Sequence, residues 1–207
     1  MSKVTRQFAI AIAALGLGTT SAAAQTVDYS TSGSFTGCAV VGSVCTLTGS
    51  LGGTATLTFV GSGNQSFGTP ISGATLGTFQ LQSSGALNDA FDFTGVSFTL
   101  TVTQSNPVAM PNTATPSASI TGGFSQNPIA GGPITLAFGV PTFNIGPAIY
   151  SIVQGSSLPI RLPSTGGITQ TTDLQANINV VPEPSTYALL ATGIAGLGLV
   201  ARRRRTA

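Results

Sequence analysis

Stretches that alternate apolar and polar residues dominate the chain between its two ends. TATLTFV (54–60), TFQLQ (78–82), FDFTGVSFTLTVTQ (91–104) and SIVQ (150–153) repeat with period two, and TDLQANINVV (172–181) does so more weakly. A period of two sends successive side chains to opposite faces, so each run reads as a strand with one face buried. Thr, Val, Phe and Ile, which fit a pleated surface, are common in these runs. Gly-rich breaks at GSLGG (49–53), GSGNQSFG (61–68) and GGPI (131–134) separate them, and NPVAMPNTATP (106–116) and NPIAGGP (127–133) read as Pro-rich loops. Helical spacing is sustained only near the termini. About eight to eleven strands are expected over residues 25–180, in an all-β, antiparallel β-sandwich or jelly-roll-like body. Thr-Leu-Thr recurs at 46–48, 56–58 and 99–101 without a fixed period, which makes it strand composition and not a repeat.

Charge limits what such a body can bind. Only 6% of the 207 residues are charged, against about 25% in an ordinary soluble domain. Six of the seven basic residues lie at the ends: Lys3, Arg6, Arg202, Arg203, Arg204 and Arg205. Between them Arg161 faces four aspartates, Asp28, Asp89, Asp92 and Asp173, for a net charge of −3. No basic stripe is left for a nucleic acid.

The two ends read as addresses. Residues 1–24 place Lys3 and Arg6 before an apolar stretch from Phe8 to Gly18, then Ala22 and Ala24 at the −3 and −1 positions of a small-residue cleavage site. This is the order of a secretory signal helix, handled by the translocon, with Gln25 as the mature start. A short buried helix would leave both the charge placement and the Ala-x-Ala site as coincidence. The other end, residues 181–207, is VPEPSTYALLATGIAGLGLVARRRRTA. Its apolar stretch, Tyr187 to Ala201, would as a helix be about 22 Å long, short of a hydrocarbon core of about 30 Å. Pro182 and Pro184 block its extension upstream. Arg202 to Arg205 act as a stop-transfer cluster that stays on the cytoplasmic side. A short C-terminal transmembrane helix is expected, with the body outside and the Pro-Glu-Pro run at the outer face.

Val-Pro-Glu-Pro-Ser-Thr, a short Gly- and Leu-rich span and a terminal arginine cluster, together about the last 27 residues, resemble the PEP-CTERM sorting signal. The resemblance implies an exosortase, a membrane-embedded cysteine enzyme similar to transpeptidases, as partner. It also implies recognition centred on Pro182, Glu183 and Pro184, with cleavage nearby releasing the tail. Proteins with this signal occur in Gram-negative bacteria that make extracellular polysaccharide. Tyr187 stands where the family often has Trp; both are interfacial residues. The expected course is an inner-membrane precursor, transiently anchored, then a protein of the outer surface or extracellular matrix. A permanent anchor is the alternative.

Chemistry is sparse. With no His in the chain, a Ser-His-Asp triad or a Cys-His pair is excluded. No G-x-S-x-G elbow, P-loop or dinucleotide fingerprint occurs, and no cofactor is expected. Cys38 and Cys45, the only cysteines, are expected to form a disulfide in an exported chain, brought together by a Gly42-Ser43 turn. Two thiols without His cannot fill a zinc site. In NDAFD, Asn88, Asp89 and Asp92 are a calcium candidate, and the two acids a glycosidase-like pair. The plainer reading is a turn at Asn88-Asp89 with Asp92 facing solvent. Asn64-Gln65-Ser66 matches a glycosylation acceptor. Phe35, Phe59, Phe79, Phe93 and Phe98 fall at strand positions and read as core, not as a sugar-stacking platform. Three functions follow in order: a non-enzymatic structural protein associated with extracellular polysaccharide or biofilm, a carbohydrate- or calcium-binding module, and a secreted enzyme.

Overall fold

A computed structural model describes residues 25–39, 42–86, 88–126, 130–163, 169–181 and 190–198. Among them the chain is mostly antiparallel β, with sixteen strands and one short helix over 190–198. The signal segment with Ala22 and Ala24, the sorting residues Pro182, Glu183 and Pro184, and Arg202 to Arg205 lie outside the described residues.

Three sheets are formed. The largest runs β15 (Leu158–Ile160), β12 (Ile134–Phe138), β9 (Ser117–Thr121), β7 (Val96–Asn106), β1 (Thr26–Thr36) and β4 (Gln65–Gly68), with β8 (Thr113–Ala114) also paired to β7. The second runs β13 (Thr142–Ile145), β14 (Ala148–Ile152), β16 (Gln170–Val180), β5 (Ile71–Ser84), β3 (Thr54–Gly61) and β2 (Val44–Thr48). A small third sheet joins β11 (Ala130–Gly131), β10 (Gly123–Gln126) and β6 (Asp89–Asp92).

The alternation in sequence becomes alternation in burial. Along β7, Val96, Phe98, Leu100, Val102 and Gln104 are buried while the residues between them are not. The inner faces of the two large sheets meet through aromatic rings. Phe98 on β7 has its ring centroid 5.0 Å from Phe79 on β5, 4.9 Å from Phe59 on β3 and 5.0 Å from Phe35 on β1. Such tilted and edge contacts bury large apolar area without stacking the π faces. All five phenylalanines assigned to the core from sequence are buried.

The strand count exceeds the expectation because turns divide what looked continuous. FDFTGVSFTLTVTQ is two strands in two sheets. Asp92 Oδ1 accepts the Thr94 N–H at 2.9 Å, and Gly95 takes a positive φ of 88°. The chain thereby turns between β6 and β7.

Pairing sorts the connections between the two ends of the body. Thr26 of β1 pairs with Gly68, Asp28 with Asn106, and Ala148 with Val180. At the other end of the strands, Thr54 pairs with both Thr48 and Ser84, and Thr36 with Ser97. Strand β5 runs from one end to the other. Thus the body's first and last described residues, Gln25 and Val181, leave from one end, and the NDAFD segment lies at the opposite one.

Candidate functional site

Asp89 is the one charged residue that the described body fully buries. Its Oδ1 accepts the Leu51 N–H at 2.7 Å and its Oδ2 accepts the Gly53 N–H at 2.7 Å. The Ser50 hydroxyl reaches Asp89 Oδ1 at 3.4 Å, and Ser50 Oγ in turn accepts the Ala90 N–H at 3.1 Å. The carboxylate therefore closes the Gly49–Gly53 loop between β2 and β3 over the end of β6. A Cβ on Gly49 or Gly53 would fall on the Asp89 carboxylate, so the glycines of GSLGG are what let the loop backbone come this close.

The calcium candidate is not brought together. Positions 89 and 92 lie three apart on a strand, so they face opposite sides: Asp89 is buried and Asp92 exposed. The turn at Asn88 is as expected, with a left-handed φ of 60° and its N–H given to the Gln126 carbonyl. Asp89 belongs to the strand and not to that turn. Hydrogen bonding from Thr94 lowers the Asp92 pKa, first through the side chain and then through the backbone. A glycosidase-like pair on these two acids meets the same geometry. Among the described residues, no three Cys, Asp or Glu gather into a group that could hold a metal ion.

Cys38 and Cys45 form a disulfide with Cα atoms 5.3 Å apart. Gly42 is not the turn residue expected from the sequence: it pairs with Phe35 of β1, its carbonyl accepting the Phe35 N–H at 2.6 Å, so the chain has already reversed before it. Cys45 is fully buried against the core.

A second buried polar group went unread in the sequence. The Tyr150 hydroxyl donates to Gln104 Oε1 at 2.9 Å, and Gln104 Nε2 donates to the Pro107 carbonyl at 2.7 Å. Tyr29 meets Tyr150 edge-on at 6.1 Å and donates to the Thr75 carbonyl at 3.0 Å. Burial pushes the Tyr29 phenol up to about 12, and burial followed by the neighbouring Tyr29 raises Tyr150 as well. Gln104 sits at an apolar position of the β7 alternation, and nothing local marks its partner 46 residues away.

One surface groove, of about 380 Å³, is polar, with Gln154, Arg161, Thr171, Asp173 and Gln175 in its walls. Asp173 accepts the Thr78 hydroxyl there at 3.0 Å. This arrangement suits hydrogen bonding to a polyhydroxylated surface. It offers no nucleophile with an adjacent base.

The C-terminal helix over 190–198 is exposed throughout. Leu190, Ile194 and Leu197 recur at helical spacing on one face and are each more than 60% exposed. No helix among the described residues is long and apolar enough to cross a membrane. The rest of the Tyr187–Ala201 stretch lies outside them.

A family model for the PEP-CTERM protein-sorting motif matches residues 180–205. No curated protein and no solved structure matches the chain.

Proposed function

We propose that this chain, an exported protein with a C-terminal PEP-CTERM sorting signal, is a non-enzymatic structural protein. An exosortase delivers it to the outer surface or extracellular matrix, in association with polysaccharide. The observation that carries the reading is the sorting motif at 180–205, following directly on a β body that ends at Val180. Residues 1–24 are its signal peptide, removed before Gln25 by the machinery that follows the translocon. Residues 187–201 form the transient membrane span, held by Arg202 to Arg205.

A non-catalytic body is supported by its chemistry. Asp89, the buried acid, spends both oxygens on loop N–H groups. The other acids are dispersed over β1, β6 and β16. A cleft with convergent ionisable groups is what an enzyme would need. A binding module is the second reading, favoured by the polar groove around Arg161 and Asp173. Glycan binding lost in Arg161→Ala would support it.

The test of sorting is a blot of membrane and medium fractions, with one epitope after Gln25 and another after Arg205. Wild type should lose the second epitope and leave the membrane. Glu183→Ala should trap full-length protein in the membrane, and replacing Arg202 to Arg205 by Ser should release uncleaved precursor. Both epitopes retained together in the membrane, in cells with an active exosortase, would replace sorting by permanent anchorage.

A further inference from the structure

The end of the body from which both chain termini leave carries two bare apolar side chains. In the loop after β7, Val108 is 86% exposed and Met110 is 96% exposed, while Ala109 between them is buried. The loop is not a loose flap. A Cβ on Gly146 would stand 2.5 Å from the Ala109 Cβ, so the turn after β13 presses directly on the loop's midpoint. Gln104 holds the base of the loop at both sides, donating its side-chain amide to Pro107 and its N–H to the Asn112 carbonyl at 2.8 Å. Val108 and Met110 are thereby pointed outward by a fixed backbone. No residue from Asn106 to Asn112 is charged.

The same turn receives the C-terminal exit. The Val181 N–H donates to the Pro147 carbonyl at 2.9 Å, one residue from Gly146. The N-terminal exit is beside it: the Asn106 side-chain amide donates to the Thr26 carbonyl at 3.1 Å, and Gln25 accepts from Thr69. The loop tip therefore lies next to the point where the sorting tail begins. From Val181 to the first helical residue at 190, a fully extended chain spans about 30 Å. Strand β5 alone, at 14 residues, covers about 45 Å between the two ends of the body. A tail seated in a membrane can bring this end of the body to the lipid surface, and the other end points away.

We propose that Val108 and Met110 are a membrane-contact tip, which enters the outer-face lipid interface while the precursor is anchored. The inference rests on the anchored-precursor reading above and adds a second contact to it. Two uncharged apolar side chains on a rigid loop are suited to the boundary between headgroups and acyl chains. The contact holds Val181, and the Pro-Glu-Pro run that follows it, close to the plane of the membrane. Alone it is a weak anchor, because stable membrane attachment takes two signals. Removal of the tail leaves the body free to depart.

The chain has no Trp, so single-tryptophan variants report position without background. Full precursor carrying Met110→Trp, Leu51→Trp or Ile194→Trp is reconstituted into phosphatidylcholine–phosphatidylglycerol vesicles with brominated acyl chains. Leu51, 61% exposed in the loop that Asp89 closes, marks the opposite end and carries the same interfacial preference of Trp. The expected result is quenching at 110 at least about twofold stronger than at 51, with strong quenching at 194. Quenching at 194 with none at 110 overturns the tip and leaves the anchor standing. Quenching at 110 without 194 overturns the anchored tail, and with it the proposal that the tip acts beside an anchor. No quenching at either position overturns both.

Discussion

The two ends of the β body are finished in opposite ways. At one, Asp89 accepts the Leu51 and Gly53 N–H groups and draws the Gly49–Gly53 loop shut. The disulfide-bearing turn lies against the same end, with Gly37 set directly over the Gly95 carbonyl. At the other, an inner Tyr150–Gln104–Pro107 chain braces a loop whose outer side chains, Val108 and Met110, are exposed. One end invests its polar groups in closure. The other keeps them inside and shows apolar side chains beside both chain exits. In a chain this poor in charge, the placement of a few polar groups decides which end is a stopper and which is a surface.

Substitutions that treat the ends alike should give unlike results. Asp89→Ala is expected to be the most damaging, by about 3 kcal/mol in urea unfolding, because it empties a fully buried position and removes the acceptor of the Leu51 and Gly53 N–H groups at once. Asp92→Ala, on the exposed face of the same strand, should cost far less, only the loss of one solvent-exposed hydrogen bond to Thr94. Equal losses for the two would erase the distinction drawn between them.

Replacing Cys38 and Cys45 together by Ala should cost about 2–3 kcal/mol, from freeing a short loop in the unfolded chain. Reductant should reproduce that loss in wild type and leave the variant unaffected.

Tyr150→Phe should cost about 1–2 kcal/mol by orphaning Gln104 Oε1. The buried phenols also set a pH limit. Their pKa values are raised in the fold, so their contribution is complete below about pH 10, the usual tyrosine value, and is lost as pH rises through about 12. Alkaline unfolding followed by tyrosinate absorbance should begin in that window, and Tyr29 should not ionise ahead of unfolding.

The smallest effect belongs to the open end. Met110→Ser should shift stability by no more than about 0.5 kcal/mol, since the side chain packs on nothing. A loss as large as that of Tyr150→Phe would show that Met110 is part of the fold and not of a surface.

Much of this architecture is legible in local sequence. Period-two alternation marks which face of each run is buried, and it identified β3, β7 and the core phenylalanines, because facing depends only on neighbouring residues. The disulfide is legible because two cysteines in an exported chain leave one pairing. The sorting signal is legible because it is a linear string of charge, proline and apolar length at residues 180–205. Periodicity does not say which strand pairs with which. Sequence alone joined β6 to β7, whereas long-range pairing placed them in different sheets. Sequence also set Asp89 in a turn, and only the approach of residues 49–53, nearly forty positions earlier, shows why a carboxylate is tolerated inside. The meeting of Gln25, loop 107–112 and Val181 at one end is likewise a product of register between strands as much as 107 residues apart, such as Ile71 with Ile178. Local propensity writes the strands and the addresses. Burial of both sheets in one core, which rewards contacts regardless of their separation along the chain, decides where the polar groups and the chain ends come to rest.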